Sequence, residues 1–180
     1  MSDTYSIRNK LIEIARGDVG KREVTHNRAP WIAKLWTATN YAEGMADRQP
    51  YCAAGVAYCL REWGKIPEVL DALKMTPTQF EKWRCKSASV FSADYNWVDW
   101  ARDKGLTFIN PKTGNFHAGD LLVYKYSHIE IYVTDDATLA PDGIMAIGYN
   151  TDDAAGRDGD GCFEKPRTRS KLLHVIRILP

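Results

Sequence analysis

The chain changes character near Gly105, and that change limits its fold more than any other feature. Before it, apolar residues recur at helical spacing. Ile7, Leu11, Ile14 and Ala15, followed by Gly17 and Gly20, mark an amphipathic helix and its end. Pro30, a residue suited to a first helical turn, opens a second short stretch with Trp31 and Leu35, and Asn40 to Pro50 reads as loop. Ala53, Val56, Ala57 and Leu60 place a further helix over Tyr51 to Trp63, with Gly64 where a C-terminal cap belongs. The segments from Pro67 and Pro77 predict short helices. Ser92 to Lys104 predicts another, with Ser92 as N-cap and Gly105 as stop. After Gly105 come four β-rich runs: Leu121–Tyr124, His128–Thr134, Ile144–Asn150 and Leu172–Leu179. Pro141-Asp142-Gly143 and the glycine- and aspartate-rich stretch Asp152 to Gly161 supply turns between them. Helices followed by strands, rather than alternating with them, predict an α+β fold with an antiparallel sheet. One domain of 180 residues is expected, helical over about 1–105 and β over about 106–180.

A chain of this size can bury a core without a metal or disulfide staple. The formal charge of +1 gives no reason to expect nucleic acid or an anionic membrane as partner. No run approaches the roughly 18 apolar residues of a membrane span. Met1 to Lys10 has no apolar segment of the signal-peptide kind. The expectation is a product made in the cytoplasm, and any action outside requires a carrier. Six Trp and nine Tyr serve core packing or a sugar-stacking groove.

Cys52, Cys59, Cys85 and Cys162 show neither a C-x-x-C pair nor paired-histidine spacing, which argues against zinc, and the expected lack of a signal segment argues against a disulfide framework. Cys52 stands apart because it opens the Tyr51–Trp63 helix. First-turn N–H groups and the positive end of the helix dipole stabilise a thiolate there, and the thiolate is the attacking form in nucleophilic catalysis. Cys59, seven residues on, falls on the same helical face and reads as packing. A nucleophile of this kind needs a base held within reach. His128, at the head of a β-run, meets that need better than His26 in a loop, His117 before a turn or His174 on the last strand. Strand alternation puts Glu130 on the same face as His128, where it either orients the imidazole or stands as a solvated charge beside the groove.

Pro50-Tyr51-Cys52-Ala53-Ala54 resembles the proline-aromatic-Cys-Ala-Ala signature of the CHAP and NlpC/P60 peptidoglycan amidases and endopeptidases. Gly119-Asp120-Leu121-Leu122-Val123-Tyr124 followed by His128-Ile129 is similar to their glycine-aspartate strand and histidine strand. Gly148-Tyr149-Asn150-Thr151, Gly159-Asp160-Gly161 and Arg167 are similar to the segments that close many such domains. The resemblance implies a papain-like fold and a cysteine hydrolase acting on bacterial peptidoglycan without a cofactor. It implies Cys52 as nucleophile, His128 as base and Asn150 as the residue that orients the imidazole. It departs from the family pattern at two positions: Gly148 stands where a glutamate is common, and Glu130 where a glycine is common.

Tyr51 and Arg167 are candidate substrate contacts, Arg167 and Arg169 toward an acidic stem peptide. Packing for Tyr51 and solvated charge for the arginines are the plainer readings. Asp152, Asp153, Asp158 and Asp160 suggest a calcium loop, but their spacing misses the EF-hand pattern and such residues are ordinary in turns. Glu43 and Asp47 lie where some CHAP domains hold calcium, and no metal is expected at either place. The helical stretch Ile66 to Ala88 is scaffold, a wall of the substrate cleft or a surface for an immunity protein. A phage lysin passing a membrane pore and an effector injected by a secretion machine both suit such a chain. The rival expectations are a catalytically decayed wall-binding module on the same fold, for which Gly148 is the hint, and a thiol protease or acyltransferase acting on another protein.

Overall fold

The computed structural model describes residues 4–91, 95–136, 138, 141–152 and 159–179. Among them six helices precede a six-stranded antiparallel sheet, so the chain is α+β. The helices are α1 (Thr4–Arg16), α2 (Pro30–Trp36), α3 (Cys52–Trp63), α4 (Pro67–Leu73), α5 (Pro77–Trp83) and α6 (Trp97–Asp103). The strands are β1 (Thr107–Ile109), β2 (Leu121–Tyr124), β3 (His128–Asp135), β4 (Gly143–Thr151), β5 (Gly161–Thr168) and β6 (Leu172–Arg177), in the spatial order β1-β6-β2-β3-β4-β5.

Two strands escape the sequence pattern, and both are edges. β1 is three residues long. β5 carries Glu164, Lys165 and Pro166, a composition that argues against a central strand but suits an edge, where a missing N–H and exposed charge cost little. The glycine- and aspartate-rich stretch before it ends in strand at Gly161 rather than in a further turn. The helix expected from Ser92 begins later: Ser92 lies outside the described residues, and the Asn96 side chain caps α6 by accepting from the N–H groups of Val98 and Asp99.

The sheet is covered on both faces, which explains why β2 reads as the unbroken apolar run Leu-Leu-Val-Tyr rather than alternating. Leu121, Val123, Ile129, Ile131, Ile147 and Tyr149 join the larger core formed with the helices. Leu122, Tyr124, Tyr132, Ile144 and Ala146 form a smaller cluster with Phe116, Leu172 and Val175. Most of the tryptophan supply is structural: Trp36, Trp63, Trp97 and Trp100 are fully buried. α4 and α5 add Val69 and Phe80 to the larger core, and α5 is fixed by a capping box between Thr76 and Gln79.

α3 is the element that places the candidate nucleophile. Cys52, Ala53, Ala54, Gly55, Val56 and Ala57 are all buried, and these small residues let the helix lie close to β3 and β4. The closest approach is at Gly55, where an added Cβ would overlap the ring of Tyr149. Gly55→Ala therefore forces the helix off the sheet, and a loss of about 1–3 kcal/mol is expected from overpacking, measured by urea unfolding. An unchanged midpoint would mean that α3 is not seated through this contact.

Candidate active site

Cys52 is the first residue of α3, 5% exposed. Tyr51, the residue before the helix, offers no side-chain cap to the first turn, so the first-turn N–H groups remain available to a negative charge at the helix mouth. The other three thiols differ. Burial pushes Cys59 and Cys85 up to about 12 and Cys162 well above its ordinary value, so they stay protonated. Cys59 packs its sulfur 3.1 Å from the Tyr149 hydroxyl, the packing role its place on the helix predicts.

His128 begins β3, directly after Ser127, whose backbone is left-handed at φ 57°. The imidazole is wholly buried and lies alongside Tyr126, with ring centroids 6.1 Å apart and planes at 20°. Its Nε2 lies 3.0 Å from Glu130 Oε1. Its Nδ1 is buried with no hydrogen bond of its own, which leaves that nitrogen for the thiol; pairs of this kind often close to full contact only with substrate bound. Burial alone would lower the affinity of His128 for a proton. Cys52 and then Glu130 outweigh it, and the pKa rises to about 9. The shift favours the protonated ring at neutral pH.

Glu130 is fully buried, so it is not a solvated charge beside the groove. Its carboxylate accepts from Tyr124 Oη at 2.6 Å and from Arg167 Nε at 2.8 Å, while a second Arg167 nitrogen bonds Oε1. Burial opposes its charge, yet Arg167 and then His128 hold it well below the usual carboxylate range. Glu130 has room because Gly148 is its directly opposed partner on β4. An added Cβ at 148 would overlap Glu130 Oε1.

Asn150 sits at the β4 bulge with φ 56° and is 1% exposed. A left-handed backbone is where asparagine is tolerated best among non-glycine residues, and this gives Asn150 a structural reason to be there. The imidazole Nε2 is engaged by Glu130. Arg167 is not a solvated surface charge: it is buried, and it also donates to Thr151 Oγ1 at 2.9 Å. Arg169 is spent on Asp135 at 2.7 Å and on the face of Phe116. Tyr51 is fully buried edge-on against Trp31 at 5.6 Å, so it packs.

Beside Cys52 opens a cleft of about 330 Å³ lined by Trp36, Tyr41, Gln49, Val90 and Ser127 among others. Ala88 at the end of the stretch after α5, with Ser89 and Val90, forms one wall, so that stretch is both scaffold and cleft. Another groove, of about 790 Å³, runs between α1 and the Phe116–Ala118 segment and contains none of the candidate residues. Asp153 and Asp158 lie outside the described residues. Of the remaining calcium candidates, Asp160 pairs with Arg22 at 2.5 Å and Asp47 accepts from the Tyr41 hydroxyl. Among the described residues no group of three or more His, Cys, Asp or Glu is placed to hold a metal, and no helix is long and apolar enough to cross a membrane.

Sequence reading misses Tyr124 and Thr151 as members of this constellation. Tyr124 is the last residue of an apolar strand, and its pattern carries no sign that its hydroxyl meets a carboxylate. Comparison with protein-family models, with curated proteins and with solved structures finds no match to the chain.

The raised pKa of His128 has a checkable sign. Against an ordinary imidazole at about 6.5, the stability gained from its charged partners is complete below that pH and is lost as pH rises through about 9. An NMR titration of the four histidines should show one ring keeping its proton to about 9, and Cys52→Ala should move that ring's titration to lower pH. Four ordinary titrations would refute the charged imidazole.

Proposed function

We propose that the chain is a cysteine hydrolase that cleaves amide bonds in bacterial peptidoglycan, on a fold of the papain-like kind. The observation that carries the chemistry is Cys52 at the N-terminal turn of α3, within electrostatic reach of His128, whose Nε2 is held by Glu130. Peptidoglycan as substrate is supported by the ordered resemblance of the segments around Cys52, His128 and Asn150 to the CHAP and NlpC/P60 amidases and endopeptidases.

In this reading Cys52 attacks the carbonyl carbon as a thiolate, forming a C–S bond and an oxyanion. The helix-mouth N–H groups are the natural donors to that oxyanion. Collapse breaks the C–N bond, and the leaving amine takes the proton from the His128 imidazolium. Neutral His128 then removes a proton from water, the resulting hydroxide attacks the thioester, and carboxylic acid and thiolate are released. Glu130 keeps the ring turned so that one nitrogen faces the sulfur throughout. No step calls for a cofactor.

The rival reading of a decayed binding module rested on Gly148 in place of a glutamate. That reason loses its force. Positions 148 and 130 are cross-strand partners, and a carboxylate from either would reach the same space beside His128. In this reading the β3 carboxylate of Glu130 fills the role that the resemblance assigns to a glutamate at position 148. Besides the wall polymer, an immunity protein and phage or secretion machinery are the partners this reading admits.

Purified sacculi digested with the wild-type chain should release free amines and new muropeptides identifiable by mass spectrometry, which also names the bond cut. Cys52→Ala should abolish that release while circular dichroism stays that of the wild type. Continued release by a folded Cys52→Ala variant would remove Cys52 as nucleophile.

A further inference from the structure

Behind the His128–Glu130 pair stand two side chains that never reach the cleft, Arg167 from β5 and Tyr124 from the end of β2. Both are buried. The arginine grips the carboxylate from the side, with Nε 3.1 Å from Oε1 and 2.8 Å from Oε2 and a second nitrogen on Oε1. It is itself tied to Thr151 Oγ1 at 2.9 Å. The tyrosine hydroxyl donates to Oε2 at 2.6 Å, and a register shift at Val123/Tyr124 in the β2–β6 pairing accompanies its placement. A carboxylate has about four lone-pair positions, and these bonds with that to His128 leave it no freedom to rotate.

Such an arrangement is poor value for stability alone. Buried ion pairs gain little over apolar side chains of similar size, because each charge must be stripped of water. A device that fixes direction and charge is the better account. We propose that Arg167 and Tyr124 are positioning residues for the Cys52–His128 pair: they lock Glu130 in one orientation and keep it charged, so that His128 holds one nitrogen toward Cys52.

The two residues divide the work. Arg167 supplies a positive charge beside the Glu130 carboxylate, in addition to His128, so that Glu130 need not be neutralised by taking a proton. Tyr124 supplies direction without charge. The charged and titratable groups facing this centre include Cys52 from α3, Glu130 from β3 itself, Tyr124 from β2, Tyr126 from the turn before β3, and Cys162 and Arg167 from β5. Without Arg167, burial drives Glu130 to take up a proton, His128 loses the charged partner that helps hold its own proton, and a thiolate at Cys52 loses the support of an imidazolium. The pH profile of Cys52 reactivity then moves to higher pH.

The inference rests on Cys52 and His128 acting as a pair, and not on peptidoglycan being the substrate, so it is tested without the wall. The probe is iodoacetamide, with alkylation of Cys52 read by mass spectrometry between pH 5 and 10 on the intact chain, beside thermal unfolding of each variant. Arg167→Met should slow alkylation at pH 7 by on the order of a hundredfold, the scale of a misplaced reacting group, and shift the profile to higher pH. Arg167→Lys keeps the charge but not the two-point grip, so it should restore the profile yet remain about tenfold slow. Tyr124→Phe should slow the reaction without moving the profile. A folded Arg167→Met with wild-type rate and profile would overturn the proposal and leave a structural ion pair. If that variant does not fold, Arg167→Lys decides: a wild-type rate overturns the proposal just as firmly. Failure of the wild-type chain to digest sacculi would instead strike at the substrate, and leave these outcomes untouched.

Discussion

A carboxylate shut away from water between two cations is the interaction on which the candidate site depends. Glu130 lies inside the sheet with His128 on one side and Arg167 on the other. Alone in that place it would take up a proton, since burial favours the neutral acid. Held by Arg167 it stays charged, and a charged Glu130 helps keep the imidazole protonated and turned toward the helix that carries Cys52. The fold serves that arrangement. Antiparallel pairing brings β2, β3, β4 and β5 side by side so that Tyr124, Glu130, Gly148 and Arg167 converge, and the small residues of α3 bring the helix mouth down to the start of β3.

Packing and chemistry meet at the glycines. Gly55 lets α3 touch the ring of Tyr149, and Gly148 leaves the volume that the Glu130 carboxylate fills. Neither has an unusual backbone; each matters because of what occupies the place of its missing side chain. The same logic separates the cysteines. Three are surrounded so closely that burial holds them as thiols, whereas Cys52 sits where a helix ends and a cleft begins.

Much of this was legible in the chain. Helical spacing located all six helices, although the last begins at an Asn96 cap rather than near Ser92. Apolar runs located the four inner strands. The edge strands β1 and β5 were not legible, because an edge needs no continuous apolar pattern and β5 carries charge and a proline. Cys52 and His128 were visible as a helix-start cysteine and a strand-start histidine. Glu130 was visible as a same-face neighbour, but whether it faced water or the imidazole was not.

What the sequence by itself determined is therefore what depends on neighbours a few residues apart: helix starts, strand runs, the placement of Cys52 at a dipole's positive end, and the shared face of His128 and Glu130. Tertiary structure decided what depends on residues far apart in the chain. Strand register set Gly148 opposite Glu130, 18 positions away, and brought Arg167 from 37 positions away to the same carboxylate. Those pairings put Glu130 against the His128 ring and took Arg167 from the surface to the same carboxylate. The physical reason is that a side chain's partner in a sheet is chosen by register and burial, and neither is written in the local pattern around it.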